Sequence, residues 1–302
     1  MRRLLALGGI AAAVAGGSAI GAAKPPALLT YALEGGRGGL CLARADGSRG
    51  VRLTTGGDRT PSWSPDGRYV AFARLEGGTS RIVVVDTRGR VVRRFGAAEA
   101  NADPAWSPEG GRIAYAAAGR IVVASATGRT LMQLPANGAL ASTPTWSPDG
   151  RRIAYTETLD ADSDREGQPG AVFIIGANGT GRRALARNAA EPSWSPDGSR
   201  IAYVAYRSRW SETGDVVIAT ADGSESRRLT GTREPESRPA WSSDGRLIAF
   251  ARGSEERSAI VVARVDGGGE RVVARSGSHG VLDPAWRPPV ALPKAARPAC
   301  PT

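Results

Sequence analysis

Pro61-Ser62-Trp63-Ser64-Pro65-Asp66-Gly67-Arg68-Tyr69-Val70-Ala71-Phe72 returns four times nearly intact along the chain. The copies carry Trp106, Trp146, Trp194 and Trp241, and a sixth, shortened copy at Trp286 breaks off after Pro288. The steps between successive tryptophans are 43, 40, 48, 47 and 45 residues. A period of about 40–45 residues marks a propeller blade of four strands. Pro-x-Trp reads as a short strand. Ser-Pro-Asp-Gly reads as a tight turn, in which Pro presets φ and Gly takes the left-handed conformation. The returning strand alternates, with Val70 and Phe72 on one face and Ala71 on the other. Ser62, Ala105, Thr145, Ser193, Ala240 and Ala285, between each Pro and Trp, predict large-on-small packing between neighbouring blades.

The rest of each unit follows. A β-branched third strand recurs at Ile82–Val85, Ile121–Val123, Val172–Ile175, Val216–Ile218 and Ile260–Val262. A Gly turn and a fourth strand come next, the last often ending in Leu-Thr, as at Leu229-Thr230. The N-terminal segment starts in mid-blade: Leu29-Thr30-Tyr31 aligns with the second strand, Gly39–Ala43 with the third and Val51–Thr54 with the fourth. Trp286 has a first strand and nothing after it. The two fragments complement each other, so the expected fold is all-β: a six-bladed propeller closed by a composite blade from residues 27–54 and 284–288. Closure removes the exposed sheet edges of an open array. It also brings Cys41 toward Cys300, in the Pro-rich tail 287–302. An even cysteine count in an exported chain permits a disulfide between them; the alternative is a buried free Cys41 and a loose Cys300.

The Trp-Ser-Pro-Asp-Gly turn followed by Ile-Ala-Tyr or Ile-Ala-Phe resembles the TolB-like propeller repeat. The resemblance covers nearly all the chain after residue 26. It implies the fold strongly and the function weakly, because this fold hosts many functions.

Residues 1–23 read as an export signal: Arg2 and Arg3, an apolar run from Leu4 to Gly21, then small residues before Lys24. An uncleaved anchor is the other reading of the same run. The remainder, 24–302, is expected to be one propeller domain, exported to the periplasm, cell wall or medium, with no transmembrane span and a monomeric state. The net charge is +11, or +9 without Arg2 and Arg3, and Lys24 and Lys294 are the only lysines. An anionic partner is one reading of that charge. The other is compositional, since the arginines are scattered without a basic run. Nucleic acid is not an expected partner of an exported chain.

Strand order puts the Ser-Pro-Asp-Gly turns on one face and the loops between second and third strands on the other. The second face carries the variation. One long loop holds Asp160, Asp162, Asp164 and Glu166; its neighbour holds Tyr206, Arg207, Arg209 and Trp210. These eight residues are the candidate binding set, because binding residues concentrate on such loops. Asp160-Ala161-Asp162-Ser163-Asp164 resembles the start of a calcium loop, but Arg165 and Ala171 stand where an EF-hand needs Gly and Glu. No cofactor is expected beyond a loose calcium ion. The residues before the motif prolines are Thr60, Asp103, Thr143, Glu191, Arg238 and Asp283, which should ring the channel mouth. Three acids there suit a cation or a basic group; hydrogen bonding within the turn is the equal alternative. The turn aspartates Asp66, Asp149, Asp197 and Asp244 are explained by turn chemistry.

Catalysis finds little support. His279 is the only histidine, and Gly-x-Ser-x-Gly is absent. Propeller lyases of the oligogalacturonate type rely on several histidines. The sequence therefore points to a non-catalytic envelope protein whose loop-rich face binds another protein or an anionic wall polymer. A glycan lyase or hydrolase using channel-mouth acids, or a subunit supporting a separate envelope enzyme, are the alternatives.

Overall fold

The computed structural model describes residues 27–35, 38–48, 50–96, 101–135, 140–158, 170–208, 211, 213–254, 257–275, 280–289 and 300. The described residues form six antiparallel four-stranded sheets, the blades of a propeller. The innermost strands are Gly57–Trp63, Asn101–Trp106, Leu140–Trp146, Ala189–Trp194, Glu236–Trp241 and Val281–Trp286. In the first five blades the strands run outward in chain order, as in Gly57–Trp63, Tyr69–Glu76, Thr79–Asp86 and Val91–Phe95 of the first. The sixth is composite: Val281–Trp286 lies inside Leu28–Leu33, Gly39–Arg44 and Val51–Arg52. Its register sets Leu29 opposite Trp286 and Leu33 opposite Val281.

Both faces of each second strand are covered, because blades pack face to face. Val70 and Phe72 meet Leu40 and Leu42 of the closing blade, together with Trp63. Ala71 and Ala73 meet Ile113 and Tyr115 of the second blade. Each blade thus turns a large face backward and a small face forward. The tryptophans sit at this seam. The Trp146 indole N–H donates to the Ala105 carbonyl at 3.2 Å, and Trp286 does the same to Ala240 at 2.9 Å. The small residue before each Trp lets the next ring approach the backbone.

The turns are built as their composition requires. The Ser147 hydroxyl donates to Asp149 at 2.5 Å, and the Gly150 amide donates to the Ser147 carbonyl at 2.9 Å. Bonds from Ser147 and from the Arg151 backbone hold the Asp149 carboxyl below its ordinary range. Gly150 has φ 67°, and a side chain there would crowd Glu109 and touch Pro108 of the preceding turn, so the turns nest around the ring.

Cys41 and Cys300 are joined, tying the tail to the closing blade over 259 residues. Cross-linking a loop this long restricts the unfolded chain, and typical native bridges contribute about 2–4 kcal/mol. Cys300→Ser is therefore expected to lower the melting temperature measured by circular dichroism, and reductant is expected to change the parent but not the variant. Equal melting of parent and variant would show that the bridge stabilises nothing.

Candidate functional site

The axis is lined by the six residues that precede the motif prolines. The sequence allowed them a place in a turn; they lie instead inside the innermost strands, at a break in register with the second strand. All six have positive φ, from 50° at Thr143 to 58° at Glu191. This conformation is costly for residues with a Cβ, above all for the β-branched Thr60 and Thr143. It turns each of these side chains toward the axis, and bonds between blades compensate.

Each bond ties one blade to the next. The Thr60 amide donates to Asp283 Oδ2 at 3.0 Å, the Asp103 amide to Thr60 Oγ1 at 3.2 Å and the Thr143 amide to Asp103 Oδ2 at 3.1 Å. The Glu191 amide donates to Thr156 Oγ1 at 2.8 Å, whose hydroxyl meets that of Thr143 at 2.6 Å. The Arg238 amide donates to Glu191 Oε2 at 2.6 Å. The belt therefore runs through every blade.

Arg238 spans the axis. Its guanidinium lies 2.6 Å from Asp103, 3.2 Å from Glu191 and 3.3 Å from Asp283. The basic group suited to the three acids is thus a member of the ring itself. Burial opposes the Arg238 charge, but the carboxylates outweigh it and hold the guanidinium more firmly protonated than usual. Burial, reinforced by Asp283 and Asp103, raises the Glu191 carboxyl despite Arg238. Tyr206 ends the second strand of the fourth blade near this cluster; burial and the Glu191 charge raise its phenol. A cavity of about 120 Å³ is lined by the six residues and their prolines. A depression of about 690 Å³ adjoins it on the loop-rich face, bordered by Glu34, Arg59, Leu75, Asn101, Arg238 and Leu282.

Of the other sequence candidates, Arg207 is exposed beside Tyr206. Asp160, Asp162, Asp164, Glu166, Arg209, Trp210 and His279 lie outside the described residues, as does the 1–23 segment. Among the described residues, no group of three or more His, Cys, Asp or Glu is arranged to hold a metal ion. No described helix is long and apolar enough to cross a membrane.

Two polar devices escaped the sequence reading. Asp58 and Glu236 are buried three residues before Pro61 and Pro239. Asp58 pairs with Arg74 at 2.6 Å and accepts from the Thr54 hydroxyl, while Glu236 pairs with Arg252 at 2.9 Å and accepts from Thr230. The Leu-Thr end of a fourth strand is thereby latched to the next blade. A signal was present: Arg74 and Arg252 each stand two residues after a Phe of the repeat, where the other blades have Tyr. The second device is a guanidinium lid on the tryptophans. Arg112, Arg152 and Arg200, each just before Ile-Ala-Tyr, lie 4.5, 4.8 and 5.1 Å from the rings of Trp146, Trp194 and Trp241. Arg287 covers Trp63 at 5.1 Å. Part of the arginine excess is therefore structural.

Six four-stranded blades, a Trp-Ser-Pro-Asp-Gly turn or a close variant in five of them and a belt of pre-proline residues on the axis define a closed propeller of the kind the repeat implied. The TolB beta propeller domain model matches residues 32–290, and the chain belongs to that family. Among solved structures, TolB from Acinetobacter baumannii is similar with a TM-score of 0.72 and 23% identity, over 87% of this chain and 67% of that one. A TolB-type protein from Agrobacterium tumefaciens gives 0.65 and 18%, over 85% and 90%. An oligogalacturonate lyase in complex with manganese gives 0.54 and 15%, over 83% and 73%. At these identities the likeness concerns the fold. The search of curated proteins finds no match.

Proposed function

We propose that the chain is an exported, non-catalytic propeller of the cell envelope that binds a partner protein over the channel mouth on its loop-rich face. The observation that carries this reading is the saturation of the axial acids. Asp103, Glu191 and Asp283 each accept a backbone amide and each face Arg238. A general acid or base must be able to exchange a proton with a substrate near its working pH. Carboxylates fixed in a belt and paired from within suit a rigid platform better, which weighs against the lyase or hydrolase reading. The apolar N-terminal run and the disulfide support export, since such bridges persist in oxidising compartments.

The mouth carries three acids against one arginine, so an anionic wall polymer would meet repulsion there. A polypeptide with neutral or basic contacts suits it better. Specificity comes from what differs between blades, which is the pair of connections at 159–170 and 207–213, between the second and third strands. Trp210 offers a large stacking surface, Arg207 and Arg209 hold an anionic group, and Asp160, Asp162 and Asp164 hold a basic one.

The test starts with a pull-down of the mature chain from envelope extract, beside a glycan array. Trp210→Ala is expected to weaken the captured complex by about 2 kcal/mol, roughly thirtyfold, without changing the melting temperature. Trp194→Ala, in a blade seam, is expected to cost about 3 kcal/mol of stability instead. Affinity unchanged by both Trp210→Ala and deletion of residues 160–166 would remove the site from these loops.

A further inference from the structure

Two seams depart from the other four: Trp286 follows a blade with Leu247 at the lid position, and Trp106 follows one with Tyr69. Trp63, Trp146, Trp194 and Trp241 are buried under the guanidinium of an arginine. Trp106 is only partly buried, and the residue that should cover it is Tyr69. Tyr69 holds in the first blade the position that Arg112 holds in the second, each directly before the apolar start of the second strand. Tyr69 is 37% exposed and leaves the seam open. A cleft of about 280 Å³ results on the turn face, lined by Pro65, Asp66, Tyr69, Val92, Trp106 and Glu109.

The fold itself shows what such a slot accepts. In the next seam the Arg112 guanidinium stacks on Trp146 and bonds to Glu109 at 2.7 Å. The cleft over Trp106 presents the same chemistry: an indole floor, a second aromatic wall, and at its rim the carboxylates of Asp66 and of Glu109, the latter shared with Arg112. A planar cation stacks on indole and is held by carboxylates in a way a compact ammonium is not. Val92, 43% exposed on the outermost strand, lines the cleft and offers apolar contact to a chain carrying that cation.

We propose that the cleft between the first and second blades binds an arginine side chain of a partner polypeptide, seated on Trp106 in the place that an internal arginine fills in the four covered seams. This site is on the face opposite the channel mouth and does not depend on the function proposed for that mouth.

The test uses the full mature chain labelled with nitrogen-15 and the blocked pentapeptide Gly-Val-Arg-Val-Gly, with lysine and glutamine versions as controls. The Trp106 indole signal is identified by its absence in Trp106→Phe. The arginine peptide is expected to shift that signal saturably, the lysine peptide to bind at least threefold more weakly and the glutamine peptide not to bind. Tyr69→Arg, which supplies the missing lid, is expected to weaken peptide binding at least tenfold while the other indole signals keep their positions. Glu109→Gln is expected to weaken it about threefold. Arg93, on the outermost strand, lines the outer edge of the cleft, so Arg93→Ala is expected to leave binding intact or tighten it. An unmoved Trp106 signal, equal binding of the glutamine peptide, or undiminished binding by Tyr69→Arg would overturn the proposal. Agmatine binding as tightly as the peptide would also overturn it, by assigning the cleft to a free guanidinium compound.

Discussion

A chain ending at residue 280 is expected to lose cooperative unfolding altogether. The truncation removes Val281–Trp286, the innermost strand of the closing blade. Leu28–Leu33 then becomes an open edge in a molecule that otherwise closes on itself, and Leu29, Tyr31 and Leu33 lose their cover. Three further ties go with it: Asp283 from the axial belt, Arg287 from the face of Trp63, and the bridge to Cys41. Their combined worth is comparable to the total stability of an ordinary domain, about 5–15 kcal/mol. Thermal unfolding of the truncated chain should show a broad, early loss of near-ultraviolet signal, while Cys300→Ser in the full-length chain keeps a sharp transition. If the truncated chain melts within a few degrees of the full one, the ring does not depend on its composite blade.

Arg238→Met is expected to be the most damaging single substitution on the axis. The arginine compensates three carboxylates of which Asp103 and Asp283 are buried. Removing one partner of a buried ionic cluster leaves uncompensated charge and typically costs about 3–5 kcal/mol. The sign of its pH dependence follows from the direction of the shift. Without Arg238, the cation that draws it down, the Glu191 carboxyl rises further above its unfolded value than burial already takes it. A carboxyl with a raised folded pKa contributes stability that is fully present below the unfolded value, near pH 4, and lost as pH rises through the folded value. Urea unfolding of Arg238→Met should therefore show a large deficit at pH 7.5 that shrinks at pH 5. An equal deficit at both would mean that lost packing, and not exposed charge, dominates.

These expectations rest on features of unequal legibility. The Trp spacing and the half-blades at Leu29–Tyr31 and Trp286 were sufficient to place the ring closure, because repeat geometry is local and periodic. The pre-proline residues were legible as a set but not in their conformation. A left-handed residue within a strand is affordable only where the adjoining blade supplies an acceptor, as Asp283 does for Thr60. The pairing of Arg238 with Asp103 spans 135 residues, and nothing but the ring brings those blades together. The arginine lids were hidden for the opposite reason. Arg112, Arg152 and Arg200 recur at one position, yet a chain so rich in arginine masks a positional signal behind composition. The gap at Tyr69 has meaning only against that pattern.

The central claim is that a partner engages the channel-mouth face. Site-specific photo-cross-linking in envelope extract tests it most directly, with a photoreactive phenylalanine in place of Leu75 in the mouth depression, Arg207 just after the second strand of the fourth blade, Leu131 on an outermost strand, or Arg151 in a turn of the opposite face. Leu75 is 60% exposed and Leu131 44%, so both present the probe to solvent. The account predicts adducts to one and the same envelope protein from positions 75 and 207, with none from 131 or 151. Adducts to a single protein from 131 or 151, with none from 75 or 207, would contradict it.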